Sequence, residues 1–348
     1  MKLHRPNVSS FASKFLPADC CPDVESALGS AALLLETAGV ETARLDAECL
    51  LANVLTCPRW QLTLEPARRL VAEEFARFLT LLQRRERREP LAYILEEREF
   101  WSLPLRVTSD VLIPRPETEI LVETALKVWR DEAPRATRQA PGGEPRAAGR
   151  EPHEASSTGH RASGDEPRTA KRGPMIVDLC TGTGAVAIAL AREIPDARVF
   201  ATDLSAQALR IAERNVAAHG LSDRVHCLRG NLWRAVNGHL PAGADLVVAN
   251  PPYIKTGDLA VLMPEIGWEP RLALDGGVDG LRLIREIIET TPDRLRAGGS
   301  LLLEIGDEQA SPVLALFGQE GRYDEVHIVA DLAGRPRVAV AHRAGGIG

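Results

Sequence analysis

The chain has 348 residues, 45% of them apolar and 4% aromatic, with a formal net charge of −6. This length and composition fit a globular protein of two domains, and the acidic balance argues against a general nucleic-acid-binding protein. No run of about 18 apolar residues or secretory signal is present, so we expect a cytoplasmic protein with no membrane contact. The six cysteines form no C-x-x-C pair, so we expect no metal site and no disulfide framework.

The first part of the chain predicts a leader and a small helical domain. Residues 1–22 show no periodicity and are expected to form a loose leader. Residues 23–95 are expected to form a helical domain, because apolar residues recur there at helical spacing. The residues at this spacing are Leu28, Ala31, Ala32 and Leu35 in the first helix, and Leu45, Glu48 and Cys49, with Leu50, Leu51 and Val54 beyond, in the second.

Four arginines, Arg84, Arg85, Arg87 and Arg88, lie near the end of this domain. The favoured interpretation is the solvated end of a helix, because long charged helix faces are common. The alternative is a docking patch for an acidic partner. In that case charge reversal at Arg84, Arg85 and Arg87 should weaken the binding of a protein substrate.

Residues 96–130 predict a β-hairpin and a linker helix. The hairpin is indicated by apolar residues that alternate around Pro104 in EFWSLPLRVTSDVLIPR. The helix should begin after Pro116, with Glu117 and Glu119 in its first turn, and end near Trp129. Residues 131–173 contain no Leu, Ile, Val or Phe, so this segment is expected to be a disordered insertion.

Residues 174–348 alternate strands with helices, which predicts an α/β domain with parallel strands joined by right-handed crossovers. The expected helices are Val186 to Glu193, Ala206 to Ala218, Gly280 to Leu295 and Glu308 to Phe317. The segment EVHIVADLAGRPRVAVAHR gives two strands joined by a short turn, which indicates an antiparallel last strand. The fold expected is a Rossmann-like sheet of seven strands.

A glycine-rich loop follows the first strand of this domain. Asp178 ends the strand and Cys180, Thr181, Gly182, Thr183 and Gly184 lead into a helix. Glycine permits a tight turn and a close approach of backbone to ligand. Asp203 ends the second strand, where a carboxylate can accept both ribose hydroxyls of a nucleoside. The glycine-rich loop and Asp203 are compatible with NAD as well as with S-adenosyl-L-methionine.

The tetrapeptide Asn250-Pro251-Pro252-Tyr253 after the fourth strand favours methyl transfer to nitrogen. Ligands of open α/β sheets lie beyond the carboxyl ends of the strands, so the tetrapeptide should lie beside the glycine loop. A planar amide nitrogen attacks a methyl group only if acceptors hold its two N–H groups. The Asn250 Oδ1 and the Pro251 carbonyl can do this, and Tyr253 can cover the planar group and flank a sulfonium.

With these residues the chain resembles the release factor glutamine N5-methyltransferases of the PrmC/HemK type. The resemblance covers residues 24–130 and 174–340 and depends on REPLAYIL, LIPRPETE, VDLCTGTGAVAIALA, ATDLS, NPPYI, LLLEIG and DLAGRPRV. It implies a class I methyltransferase fold that uses S-adenosyl-L-methionine and methylates the GGQ glutamine of release factors. The implied catalytic, glutamine-binding tetrad consists of Asn250, Pro251, Pro252 and Tyr253. The implied cofactor site consists of Asp178, Cys180 to Gly184, Asp203, Asn231, Leu232 and Asn250.

Three residues depart from the pattern of this family. Cys180 stands where the family usually has Gly, Asn231 where it usually has Asp, and Leu232 where an aromatic residue is frequent. Because Asn231 can still accept a hydrogen bond from an adenine amino group, these departures are expected to weaken cofactor affinity more than the chemistry.

Three other functions stay open at this level. NPPY is shared with methyltransferases that act on a ribosomal-protein glutamine and on adenine N6, although the acidic net charge disfavours the nucleic-acid substrate. A third possibility is an inactive module that only holds a partner. A protein that binds S-adenosyl-L-methionine would argue against this possibility. We expect a monomer whose partners are release factors, with no direct binding to nucleic acid.

Overall fold

The computed structural model describes residues 21–138, 173–240 and 242–345. Most of the expected leader and most of the expected insertion lie outside the described residues. The chain divides into two compact units. One contains the described residues up to Pro114 together with Ile254–Gly280, and the other contains Arg115–Tyr253 and the chain from Leu281 onward. Each expected domain is one continuous stretch of the chain, whereas the first unit also includes a segment that directly follows Tyr253.

The first unit begins with helices and continues into a hairpin. The helices are α1 (Val24–Thr37), α2 (Ala43–Leu55), α3 (Arg59–Leu64), α4 (Ala72–Glu86) and α5 (Leu91–Leu95). Strands β1 (Glu97–Phe100) and β2 (Leu103–Arg106) pair antiparallel. Helix α1 begins at Asp23, whose carboxylate accepts a hydrogen bond from the Ser26 backbone N–H over 2.8 Å, because the first amides of a helix have no partner within it.

The buried face of α2 contains Leu50, Leu51 and Val54, as expected, but the start of the helix differs from the prediction. Leu45 is exposed, whereas Asp46 and Ala47 are buried together with Leu50. An apolar pattern does not predict a buried carboxylate at Asp46, because burying a charge without a partner is costly. Asp46 is buried because its carboxylate accepts a hydrogen bond from the Arg85 guanidinium over 2.7 Å, and buried charges are normally paired.

One member of the arginine cluster, Arg85, is buried in this unit, and Arg84 and Arg88 are half-buried. Arg85 is 6% exposed and also pairs with Glu265 over 3.0 Å. Arg88 pairs with Glu265 over 2.6 Å, and Arg84 bonds to Glu89 over 2.9 Å. Of the four, Arg87 is exposed. The expected solvated helix end and the alternative docking patch are both wrong for Arg85 and Arg88, because internal carboxylates already neutralise their charge.

The segment Ile254–Gly280 forms a loop that is closed at its base. The Ile254 N–H donates to the Leu274 carbonyl over 3.0 Å, and the Gly276 N–H donates to the Ile254 carbonyl over 2.8 Å. The body of the loop consists of short 3-10 turns at Asp258–Val261, Pro264–Trp268 and Arg271–Ala273. Glu265 joins it to α2 and α4 through the arginines described above.

The second unit is built on a sheet of seven strands. They are β3 (Met175–Leu179), β4 (Arg198–Asp203), β5 (Val225–Arg229), β6 (Ala244–Ala249), β7 (Leu295–Glu304), β8 (Tyr323–Ala330) and β9 (Pro336–Arg343), in the order β5-β4-β3-β6-β7-β9-β8. The strands from β3 to β7 pair in parallel, and β9 is antiparallel to both neighbours. The predicted fold is confirmed, and the antiparallel last strand lies between β7 and β8.

Five helices accompany this sheet: α6 (Glu119–Arg138), α7 (Ala185–Glu193), α8 (Ala206–Ala218), α9 (Arg282–Thr290) and α10 (Ala310–Glu320). Helix α9 buries Ile284, Ile287 and Ile288, which share one face because their spacing matches the helical period. Each such side chain contributes about 1.5–3 kcal/mol of hydrophobic stabilisation.

Two helix ends differ from the prediction. Helix α6 extends to Arg138, where a disordered segment was expected from residue 131, because propagating a formed helix costs less than starting one. Helix α9 ends at Thr290, and Leu295 is the first residue of β7. Pro292, which cannot continue a helix, comes between the two elements. Among the described helices, none combines the length and apolar character needed to cross a membrane.

Candidate active site

The glycine-rich loop joins β3 to α7 and contains three residues with positive φ. They are Cys180 (φ 61°), Gly182 (φ 55°) and Gly184 (φ 81°). A Cβ at Gly184 would lie 3.3 Å from the Ala212 side chain, whereas a Cβ at Gly182 would meet nothing within 4 Å. Gly184 therefore permits close helix packing, and Gly182 faces open space. The left-handed backbone of Cys180 explains why glycine suits that position.

Two buried or partly buried aspartates hold the loop. The Thr181 hydroxyl donates to Asp178 over 2.6 Å, and the Gly182 and Ser205 backbone N–H groups each donate to Asp203 over 2.9 Å. Burial raises the pKa of Asp178 to about 7, and it also raises the pKa of Asp203. A carboxylate has about four acceptor positions, so Asp203 keeps capacity for further hydroxyl donors.

Asn231 and Leu232 follow β5, at the same edge of the sheet. The Asn231 Nδ2 lies 3.5 Å from the Glu286 carboxylate, and Asn231 borders a groove together with Glu286. Leu232 is 6% exposed and packs in the core. Its side chain is therefore committed to the core, and only its backbone can contribute to binding a cofactor.

The tetrad Asn250 to Tyr253 follows β6, next to the glycine-rich loop. Leu179 and Ala249 are register partners in β3 and β6, so Cys180 and Asn250 leave the sheet side by side. Pro251 and Pro252 are buried. The Asn250 Nδ2 donates to the Thr118 hydroxyl over 3.1 Å, which leaves its Oδ1 as the end that can accept a substrate N–H.

Three residues that sequence reasoning did not assign to the site surround the tetrad. The Gln309 side-chain amide donates to the Tyr253 carbonyl over 3.0 Å, and the Tyr253 hydroxyl lies 3.5 Å from the Glu304 carboxylate. Thr118 and Glu304 are 4% and 1% exposed. Burial raises the pKa of Glu304 to about 7 and the pKa of Tyr253 above its ordinary value. Thr118 and Glu304 belong to LIPRPETE and LLLEIG, so polar residues in these motifs were the available signal.

The arrangement places a loop suited to a nucleoside beside an amide acceptor. Within the described part of the chain, no three His, Cys, Asp or Glu side chains lie close enough to hold a metal ion. Burial raises the pKa of the Cys180 thiol, which disfavours the thiolate that a nucleophile requires. The Asn250 amide and the carboxyl groups of Asp178 and Asp203 can position groups and stabilise charge.

Comparison with known proteins assigns both parts of the chain. Residues 26–95 match the family described as PrmC N-terminal domain, and residues 167–265 match the family described as methyltransferase small domain. A release factor glutamine methyltransferase of Cereibacter sphaeroides is 38% identical over 90% of this chain and 96% of its own length. The chain belongs to the release factor glutamine methyltransferase family. A second member of this family, from Moorella thermoacetica, is 37% identical over 92% of this chain and 98% of its own length.

One solved structure shows a more distant similarity to this chain. The ribosomal protein L11 methylase of Lactobacillus delbrueckii subsp. bulgaricus has a TM-score of 0.40 and 16% identity. The match covers 69% of this chain and 85% of that protein.

Proposed function

We propose that this protein methylates the side-chain amide nitrogen, N5, of the glutamine in the GGQ motif of peptide chain release factors, using S-adenosyl-L-methionine. The names and near full-length coverage of the relatives support the substrate. The orientation of Asn250 carries the chemical part of the proposal, because its Nδ2 is bonded to Thr118 and its Oδ1 is left for a substrate amide.

The residues around the glycine-rich loop fit S-adenosyl-L-methionine. Gly182 borders open space, the Asp203 carboxylate can accept ribose hydroxyls, and the Asn231 carbonyl oxygen can accept from an adenine amino group. Asp178 holds the loop through Thr181. When bound, S-adenosyl-L-methionine supplies a methyl group on a positively charged sulfur.

The tetrad would activate the glutamine nitrogen by position. The Asn250 Oδ1 and the Pro251 carbonyl accept its two N–H groups, so that its weakly basic lone pair faces the methyl group. Methyl transfer would form one nitrogen to carbon bond as the bond from the methyl group to sulfur, with its electron pair, is given up to sulfur, and one amide proton would leave to solvent. The prolines fix φ and keep the Pro251 carbonyl aimed. The Tyr253 ring flanks the site and favours positive charge.

The helical unit is assigned to recognition of the protein substrate. A GGQ loop offers few side chains, so discrimination among proteins must use contacts away from the reacting amide. Arg85 and Arg88 are excluded from this role by their internal ion pairs. In this proposal the protein acts in the cytoplasm as a monomer and does not bind nucleic acid.

The proposal is tested by offering the purified protein four substrates with labelled S-adenosyl-L-methionine. They are a release factor, the same factor with alanine in place of the GGQ glutamine, a ribosomal protein with a methylatable glutamine, and duplex DNA. We expect label in the unaltered release factor, and none in the altered factor or in the Asn250→Ala enzyme. Label in the ribosomal protein or DNA without label in the release factor would contradict the proposal. Absence of S-adenosyl-L-methionine binding would instead favour the binding module.

A further inference from the structure

Two buried polar side chains, Thr118 and Glu304, lie behind the tetrad and have no part in the proposed chemistry. Thr118 ends the 3-10 turn Pro116–Thr118 that leads into α6. Glu304 is the last residue of β7, next to the end of β6, because Ala249 and Leu303 are register partners. The Glu304 Oε2 is buried without a hydrogen-bond partner, so this carboxyl group keeps unused acceptor capacity beside the site.

We propose that Thr118 and Glu304 are positioning residues that fix which end of the Asn250 amide faces the substrate. The proposal deepens the function given above and depends on it for the identity of the substrate. Its observations are the hydrogen bond from the Asn250 Nδ2 to the Thr118 hydroxyl over 3.1 Å and the 3.5 Å approach of the Tyr253 hydroxyl to the Glu304 carboxyl group. The Thr118 side chain also lowers the pKa of the Glu304 carboxyl group, which links the two residues.

The polarity of this chain of hydrogen bonds follows from the donor count. An ionised carboxylate only accepts, and a threonine hydroxyl has one proton to donate. When Glu304 is ionised, Thr118 gives that proton to it and presents lone pairs to Asn250. The Nδ2 of Asn250 must then face Thr118, and its Oδ1 must face the substrate. The flipped amide would direct Oδ1 at the lone pairs of Thr118 and an N–H group at the glutamine N–H groups.

Glu304 also supports the other end of the tetrad. The Tyr253 hydroxyl lies 3.5 Å from the same carboxyl group, and burial keeps that hydroxyl protonated by raising the pKa of Tyr253. The side chains of Thr118 and Tyr253 both lower the pKa of this carboxyl group. The Glu304 carboxyl group thus acts on Asn250 through Thr118, and it acts on Tyr253 directly.

The charge of Glu304 changes near neutral pH. Burial raises the pKa of Glu304 to about 7. The Thr118 side chain and the charge of Arg337 lower this pKa, whereas the charge of Glu117 raises it further. Above about pH 7 the carboxylate accepts from Thr118 and holds Asn250 in the productive orientation. Below that pH the protonated group can donate to Thr118, and the orientation is no longer enforced.

The first experiment removes the Thr118 hydroxyl. Thr118→Val should lower kcat by roughly 10- to 100-fold, since misplacing a catalytic group costs about this much, while the Kd for S-adenosyl-L-methionine stays unchanged. Thr118→Ser should restore most of the loss. Thr124→Val is the matched control, because Thr124 is also buried, at 6% exposure, on the following helix. Equal kcat for Thr118→Val and Thr124→Val would overturn the proposal.

The second experiment observes the orientation of Asn250 without turnover. In ¹⁵N-labelled protein the Asn250 side-chain amide signals are assigned by their absence in Asn250→Ala. We expect them to move in Thr118→Val and Glu304→Gln and to stay in place in Thr118→Ser. Wild-type kcat should rise through about pH 7, and the rise should be smaller in Glu304→Gln, where Asp178, whose pKa burial also raises to about 7, still titrates in this range. Unmoved signals would overturn this proposal alone, whereas a wild-type enzyme that labels no release factor would overturn the proposed function.

Discussion

Replacing Arg85 with alanine should destabilise the helical unit. The Arg85 and Asp46 side chains are 7% and 5% exposed with their charged atoms 2.7 Å apart, and Glu265 lies 3.0 Å away on the other side. Removing one member of a buried ion pair costs about 3–5 kcal/mol, because the remaining charge lacks both water and a partner. Glu265 keeps Arg88 at 2.6 Å, so we expect the lower end of this range, about 3 kcal/mol.

Hydrogen exchange measured peptide by peptide can detect this loss. A change of about 3 kcal/mol corresponds to an opening equilibrium that is on the order of 100-fold larger, and peptides from α2 and α4 should lose protection to that extent. Arg87→Ala is the control, because Arg87 is exposed and should change stability by less than about 0.5 kcal/mol. Unchanged protection of α2 and α4 in Arg85→Ala would refute the reasoning and show that this charge is solvated.

The same network should depend on pH in a defined direction. Burial by itself raises the pKa of Glu265, but hydrogen bonds from Arg88 and Arg85 outweigh it and hold the pKa below its ordinary value. A carboxylate of this kind stabilises the fold above its unfolded-state pKa, near 4.3, and that stabilisation is lost as the pH falls through the lower folded-state value. The difference in unfolding free energy between the protein and Glu265→Gln should therefore shrink below about pH 4.

Three further substitutions test the site. Asn250→Ala should lower kcat by about 100-fold or more while calorimetry finds an unchanged Kd for S-adenosyl-L-methionine, and near-normal turnover would contradict the assignment. Asp203→Ala should raise that Kd by roughly tenfold or more, since a hydrogen bond to a charged group contributes about 1.5–3 kcal/mol, and an unchanged Kd would make this acid structural. Cys180→Gly should relieve the left-handed backbone and stabilise the fold by up to about 1 kcal/mol, and a lower Tm would show that thiol packing outweighs strain.

The strands and the positions of the glycine-rich loop and the tetrad at the sheet edge could be predicted because each has a local signal. Parallel strands such as β3 and β6 are continuous apolar runs, and their carboxyl ends meet at one edge. Asn250 and the glycine-rich loop could therefore be placed together before any coordinates. The hydrogen bond that orients Asn250 had no such signal, because Thr118 is 132 positions away.

The errors in burial share one cause, which is charge buried by partners distant in sequence. Arg85 and Asp46 are 39 positions apart, and Arg85 and Glu265 are 180 apart. A single sequence shows each as a charged residue and predicts exposure, since unpaired burial is costly. The inclusion of Ile254–Gly280 in the helical unit could not be predicted either, because Glu265 of this segment pairs with arginines that are distant in sequence.

Fragmentation mass spectrometry of the methylated release factor tests most directly whether the amide nitrogen of one glutamine receives the methyl group. We expect one added methyl group on the GGQ glutamine that survives mild alkali, because an N-methyl amide is stable there. A methyl group on another residue, or an alkali-labile methyl ester, would contradict it, because Asn250 and Pro251 are assigned to hold an amide nitrogen.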